Sequence, residues 1–202
     1  DFNSTRGRVG EIVFLLNDKD HRINVDVEQF DYQYDDGSVI ELNRSTKGNG
    51  VDIVFLADGF DAREIASDKY MNEVRQAYEY FFDIEPYKSY KDYFDVYAVI
   101  GVSKDSRIGT VNTIRDVKFG SQYSPDGIRI DSDICFEYAR KADNSIDLNQ
   151  TLIVLLQNTS DYPGRTFMYE HGSAIACCPT SREVYPYNCC GTIQHEAGGH
   201  GF

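Results

Sequence analysis

The chain contains no tryptophan, so its aromatic weight rests on 15 tyrosines and 12 phenylalanines. Such a composition favours β-structure and recognition surfaces. No run of apolar residues is long enough to span a membrane, which excludes a transmembrane helix in this sequence. Positive charge is scarce: 20 basic residues stand against 33 acidic ones, for a net charge of −13. Nucleic acid and anionic lipid both require a basic face, and both are excluded as partners on that ground. The acids are scattered, as on a solvated surface, and do not gather into one site. A basic, apolar leader is missing too. The chain opens Asp1-Phe2-Asn3-Ser4, as in a cytosolic protein or a mature, trimmed one. There is no internal repeat and no low-complexity tract.

Apolar residues make up 41% of the 202, enough for a packed core in one domain, or in one domain plus a small module. Five cysteines are present, four of them as the adjacent pairs Cys177-Cys178 and Cys189-Cys190. Their crowding is expected of an oxidising compartment, and a cross-pair disulfide is the favoured bond because a bridge between adjacent residues is strained. Buried free thiols are the alternative, and Cys135 is the odd residue in either case.

Residues 1–47 read as a separate β module. Glu11 to Leu16 is an apolar strand, Asn17 to Asp20 a turn, and Ile23 to Glu28 an alternating strand. Two such strands cannot stand alone and are expected to complete a sheet. Ser45 to Gly50 is a polar, glycine-bearing linker. Residues 51–202 then alternate strand and helix, which predicts an α/β (α+β) domain. Val51 to Leu56 is a strand. Ala62 to Phe82 is a helix whose Met71, Val74, Tyr78 and Phe81 share one face. Phe94 to Val102 is a second strand, and Ser103 to Asp131 a long polar loop. Ser132 to Ala142 is a short helix, and Thr151 to Leu156 a central strand buried on both faces. Ser173 to Cys177 is a further short strand.

The chemistry gathers at Gln194-His195-Glu196-Ala197-Gly198-Gly199-His200. Two imidazoles and a glutamate on one helix are the parts of a zinc hydrolase site. His195 and His200 are the candidate metal ligands, and Glu196 is the candidate carboxylate that takes a proton from a metal-bound water. The common spacing, HExxH, puts its histidines about 40° apart at ~100° per residue. Here they are five residues apart, about 140° on the same arithmetic. A π-type turn across Ala197, Gly198 and Gly199 is expected to absorb the extra residue. Two mid-helix glycines otherwise cost about 1 kcal/mol each relative to alanine.

The HExxGH form resembles the motif of the dipeptidyl peptidase III family. A wider resemblance, to the IgA-peptidase family of bacterial zinc metallopeptidases, rests on Val51 to Phe60, on Glu85 to Tyr97 and on the terminal His-Glu segment. It implies a metzincin-like fold: a mixed sheet, a backing helix and an active-site helix. It also implies a Zn²⁺ cofactor, a protein or peptide substrate and a secreted or cell-surface bacterial enzyme. The third metal ligand is expected past Phe202, so that 51–202 is the N-terminal part of the catalytic domain and is inactive alone. In folds of this kind an edge strand walls the substrate cleft, and Ser173, Ala174, Ile175 and Ala176 are the candidates for it. Arg8 to Phe14 and Val27 to Gln29 resemble the closing strands of BACON-type β-sandwich domains, which implies glycan contact through the N-terminal module.

Other readings stay open on the residues themselves. His21 and His171 are further imidazoles, the first in a turn and the second a surface or cleft residue. Asp126, Asp131 and Asp133 lack a calcium-loop spacing and are expected to be surface acids. The alternative function is a non-catalytic surface binding protein built on a degenerate metallopeptidase domain. A zinc hydrolase acting on something other than peptides is a third.

Overall fold

The structure is a computed structural model that describes residues 10–16, 19–25, 34–160 and 163–201. They fall into two compact units, Asp1–Asp31 and Tyr32–Phe202. In the first, β1 (Gly10–Leu16) and β2 (Lys19–Val25) form the antiparallel hairpin expected, with Leu16 opposite Lys19 and Gly10 opposite Val25. The expected strand to Glu28 runs past the described residues.

The second unit begins earlier than the linker at Ser45 to Gly50. β3 (Val39–Asn43), which the sequence assigns to the N-terminal module, pairs antiparallel with β5 (Phe94–Val99). The linker is tied down within the unit, because the Ser45 N–H donates to Asp95 Oδ1 at 2.7 Å. β3 escapes sequence reading because a half-exposed edge strand, Val-Ile-Glu-Leu-Asn, carries little apolar alternation.

Further along come β4 (Val51–Asp58), β8 (Leu152–Gln157), β9 (Arg165–Met168) and β10 (Ala174–Pro179), in a six-stranded sheet of order β3-β5-β4-β8-β10-β9. The four inner strands are mutually parallel and the two edge strands antiparallel to their neighbours. The fold is therefore mixed α/β, as expected. Continuous apolar runs suit inner parallel strands because helices cover both faces. On one face Ile53, Phe55, Val154, Leu156, Ala176 and Cys178 pack beneath α2 (Lys69–Phe82), which contributes Met71, Val74, Ala77 and Phe81. On the other, Val54, Leu56, Ile153, Leu155, Ile175 and Cys177 meet α4 (Ser132–Ala139) through Cys135, Phe136 and Ala139. A buried side chain the size of Phe81 contributes about 2–3 kcal/mol by leaving water.

The predicted helix from Ala62 is two helices. α1 (Ala62–Ala66) opens on a capping box between Asp61 and Glu64, and the chain then breaks at Asp68, whose φ is +62°. α3 (Tyr87–Tyr90) follows α2. The long loop after β5 is held by Asp58. This fully buried carboxylate accepts from the N–H groups of Gly59 (3.0 Å), Phe119 (3.1 Å) and Ser121 (2.9 Å) and from the Ser103 hydroxyl (3.2 Å). Inside that loop lies a small hairpin, β6 (Gln122–Ser124) with β7 (Gly127–Arg129), which the sequence reading missed.

Candidate active site

The last helix starts at α5 (Cys189–Thr192), where the Asn188 side chain accepts from the Gly191 N–H at 2.9 Å and caps the first turn. The helix continues as a π-helical segment, Ile193–Ala197, and ends as α6 (Gly198–His200). Ile193 and Ala197 are fully buried and anchor it on the sheet face that α2 also covers. The Gly198 N–H is shared between the His195 carbonyl and, five residues back, the Ile193 carbonyl, the second bond being that of a π turn. The widened turn is thus present, but it lies one turn earlier than the Ala197-Gly198-Gly199 position expected from the glycines. Its ends are fixed by buried side chains instead.

The consequence is local and geometric. His195 and His200 come together, with ring centroids 4.9 Å apart and planes at 84°. Both residues are exposed. Two imidazoles bound to one tetrahedral ion at about 2.0–2.1 Å have centroids roughly 5 Å apart, so this pair fits a shared metal. Among the described residues no group of three His, Cys, Asp or Glu gathers as a metal site. His171 is elsewhere: its Nε2 lies 2.6 Å from the Ser173 hydroxyl, and its ring packs on Phe136 and Tyr169. His21 lies on β2, and its side chain is outside those described. Asp131 caps α4 by accepting from the Ile134 N–H, and Asp126 faces Arg129, both structural roles.

Glu196 faces β9. Its Oε2 lies 2.8 Å from the Thr166 hydroxyl, which is also 2.9 Å from the Glu196 carbonyl. One hydroxyl proton serves one acceptor at a time, so Thr166 holds either the backbone or the carboxylate of Glu196. Gly164, just before β9, lets the strand approach: a Cβ there would fall 2.7 Å from Glu196 Cγ and 2.4 Å from Thr192 Cγ2. The segment is braced from behind by the Tyr123 hydroxyl, which donates to the Pro163 carbonyl. A cleft of about 220 Å³ results, lined by Gly164, Arg165, Thr166, Met168, Glu196 and His200.

The expected cleft wall is therefore corrected. Ser173, Ala174, Ile175 and Ala176 do not line the groove: all four are buried, and Ala174 to Ala176 belong to β10, which is hydrogen-bonded to β8 on one side and β9 on the other. The edge belongs to Arg165–Met168, a four-residue strand too short to show a period. Its one sequence signal is the Pro163-Gly164 break ahead of it.

The cysteines are corrected as well. All five are free thiols, four of them buried and Cys190 half-buried. Cys177 and Cys178 are consecutive strand residues and so point to opposite faces, Cys177 toward α4 and Cys178 toward α2 and Cys189. Burial pushes the Cys189 thiol up to about 12.

The model of the IgA peptidase M64 family matches residues 40–184, well over half the chain. The chain belongs to that family. It is a family of metallopeptidases, so this is a peptidase domain, with a peptide or protein substrate and an implied metal. The match takes in the whole six-stranded sheet from Ile40 and ends before the helix that carries His195. No curated protein matches the chain. Beyond the matched residues, the last helix brings two imidazoles together and sets the Glu196 carboxylate on the Thr166 hydroxyl of the sheet edge, a donor set suited to a hydrolytic metal ion.

Proposed function

We propose that this M64 domain is the core of a secreted zinc-dependent endopeptidase, in which His195 and His200 hold the metal and Glu196 is the proton-transferring carboxylate. The observation that carries the proposal is the π-turned helix, which brings two imidazoles five residues apart to 4.9 Å. When bound, Zn²⁺ supplies a water whose pKa is lowered to about 7.

The chain's own residues do the rest. Glu196 keeps Oε2 on the Thr166 hydroxyl and has Oε1 to accept a proton and later return it to the leaving amine. β9 is an edge of the sheet, and an extended peptide laid along Arg165–Met168 gains main-chain hydrogen bonds there. Its reacting carbonyl then lies beside Glu196 and His200, which share the cleft. The free thiols lend nothing to secretion, which rests on resemblance alone. The family match starts at residue 40 and does not bear on glycan contact by the N-terminal hairpin.

The test is elemental analysis and peptide hydrolysis by the whole protein. One zinc per chain is expected, lost in His195→Ala and His200→Ala. Glu196→Gln should keep the zinc and lose at least ~100-fold in turnover. Full turnover in Glu196→Gln would overturn the mechanism. Metal without any hydrolysis in the native protein would favour the non-catalytic binding protein.

A further inference from the structure

The stretch from Glu85 to Tyr97 carries much of the family resemblance, yet nothing in the cleft uses it. One of its side chains reaches the last helix. Tyr87 is nearly buried, with its ring centroid 4.3 Å from that of Phe81 and 6.1 Å from that of Phe94. Its hydroxyl donates to the Gly198 carbonyl at 2.5 Å, across 111 residues of sequence.

Gly198 is the residue at which the widened turn closes, since its N–H donates to Ile193. Both polar groups of Gly198 are therefore held, the N–H from within the helix and the carbonyl from α3. The residue has no side chain because none would fit easily: a Cβ would lie 3.1 Å from Ile84 Cδ1 and 3.2 Å from Tyr87 Cε2. Its φ, −78°, is ordinary for any residue, so the glycine serves close approach and not backbone freedom.

A π turn competes with the regular α-helical register, in which each carbonyl accepts from the fourth residue on and the two histidines part by about 140°. We infer that Tyr87 is a positioning residue: by holding the Gly198 carbonyl from outside the helix, its hydroxyl fixes the widened turn that brings His200 back to His195. This rests on the metal-site reading above. In this role the hydroxyl acts through the helix backbone.

The test uses the whole protein and Tyr87→Phe, which keeps the packed ring and removes the hydroxyl. Two readouts are taken. In the metal-free protein, hydrogen exchange at the Gly198 amide should speed up about tenfold, the loss of roughly one hydrogen bond. In Zn²⁺ titration the dissociation constant should rise by a similar factor, and the visible bands of the Co²⁺-substituted protein should shift, while the unfolding midpoint moves little. Unchanged exchange overturns the inference whatever the metal does. Unchanged zinc affinity, with His195→Ala abolishing binding in the same assay, overturns it while leaving the metal site standing. If His195→Ala binds zinc as the native chain does, it is the metal-site reading that fails, and the exchange result still decides the role of Tyr87. Should Tyr87→Phe not fold, Gly198→Ala crowds the same contact from the helix side and is expected to change both readouts in the same direction. No change in that variant overturns the inference.

Discussion

Thr166 and Glu196 meet across the cleft, hydroxyl to carboxylate, at 2.8 Å. The bond links an edge strand to a helix that lies 30 residues further along the chain, and it restrains the carboxylate proposed to move the proton.

Thr166→Val keeps the shape of the side chain and removes the donor. Turnover should fall about tenfold, in line with one lost hydrogen bond to a charged group, with KM nearly unchanged. Thr166→Ser should restore most of it. Steady-state kinetics of the two variants decide the matter. A large change in KM alone would mean that Thr166 binds substrate and does not hold Glu196.

Asp58 is a stability determinant. Four donors converge on its carboxylate, and an amide in its place would turn an NH₂ group toward at least one of them. Asp58→Asn should destabilise the domain by about 3 kcal/mol. Urea unfolding should show a lower midpoint at an unchanged slope. A loss under ~0.5 kcal/mol would mean the loop after β5 is held by something else.

Asp52 carries the pH dependence. It stands opposite Asp95 on the neighbouring parallel strand. Burial first, then the charges of Asp95 and Asp143, push it up from 3.8 to about 6. A carboxyl whose folded value is raised favours the folded state when protonated. Its contribution is complete below about pH 4 and is lost as pH rises through about 6. Asp52→Asn should therefore be more stable than the native chain at pH 7–8, and the advantage should vanish by about pH 4. Thermal unfolding across that range measures it, and an advantage independent of pH would contradict the assignment.

The two helix glycines are not equivalent. Gly198 is crowded by Ile84 and Tyr87, whereas a Cβ on Gly199 would meet only the Gln194 carbonyl at 3.9 Å. Gly199→Ala should keep metal and activity and gain up to about 1 kcal/mol of helix stability. Metal loss in that variant would show that the turn does need freedom at Gly199.

The inner sheet was legible because strands such as Val51–Asp58 and Leu152–Gln157 are continuous apolar runs, and burial on both faces writes itself into composition. The histidine spacing likewise announced a widened turn. The two edge strands were not legible, because β3 and β9 are short and half-exposed and take their conformation from a neighbour's hydrogen bonds. The same holds for Thr166 and Tyr87. Each matters through one contact with a helix far along the chain, and no local pattern marks such a contact.

The order of strands also has a consequence for synthesis. β10 lies between β8 and β9, both of which precede it in the chain, and β9 pairs with no other strand of the sheet. While the polypeptide emerges from the ribosome, Arg165–Met168 has nothing to pair with until Ala174–Pro179 inserts beside β8. The helix bearing His195 comes later still. The nascent domain therefore completes its central layers before any cleft exists, and a chain released early, before β10, would lack an inner strand of the sheet as well as the edge that walls the cleft.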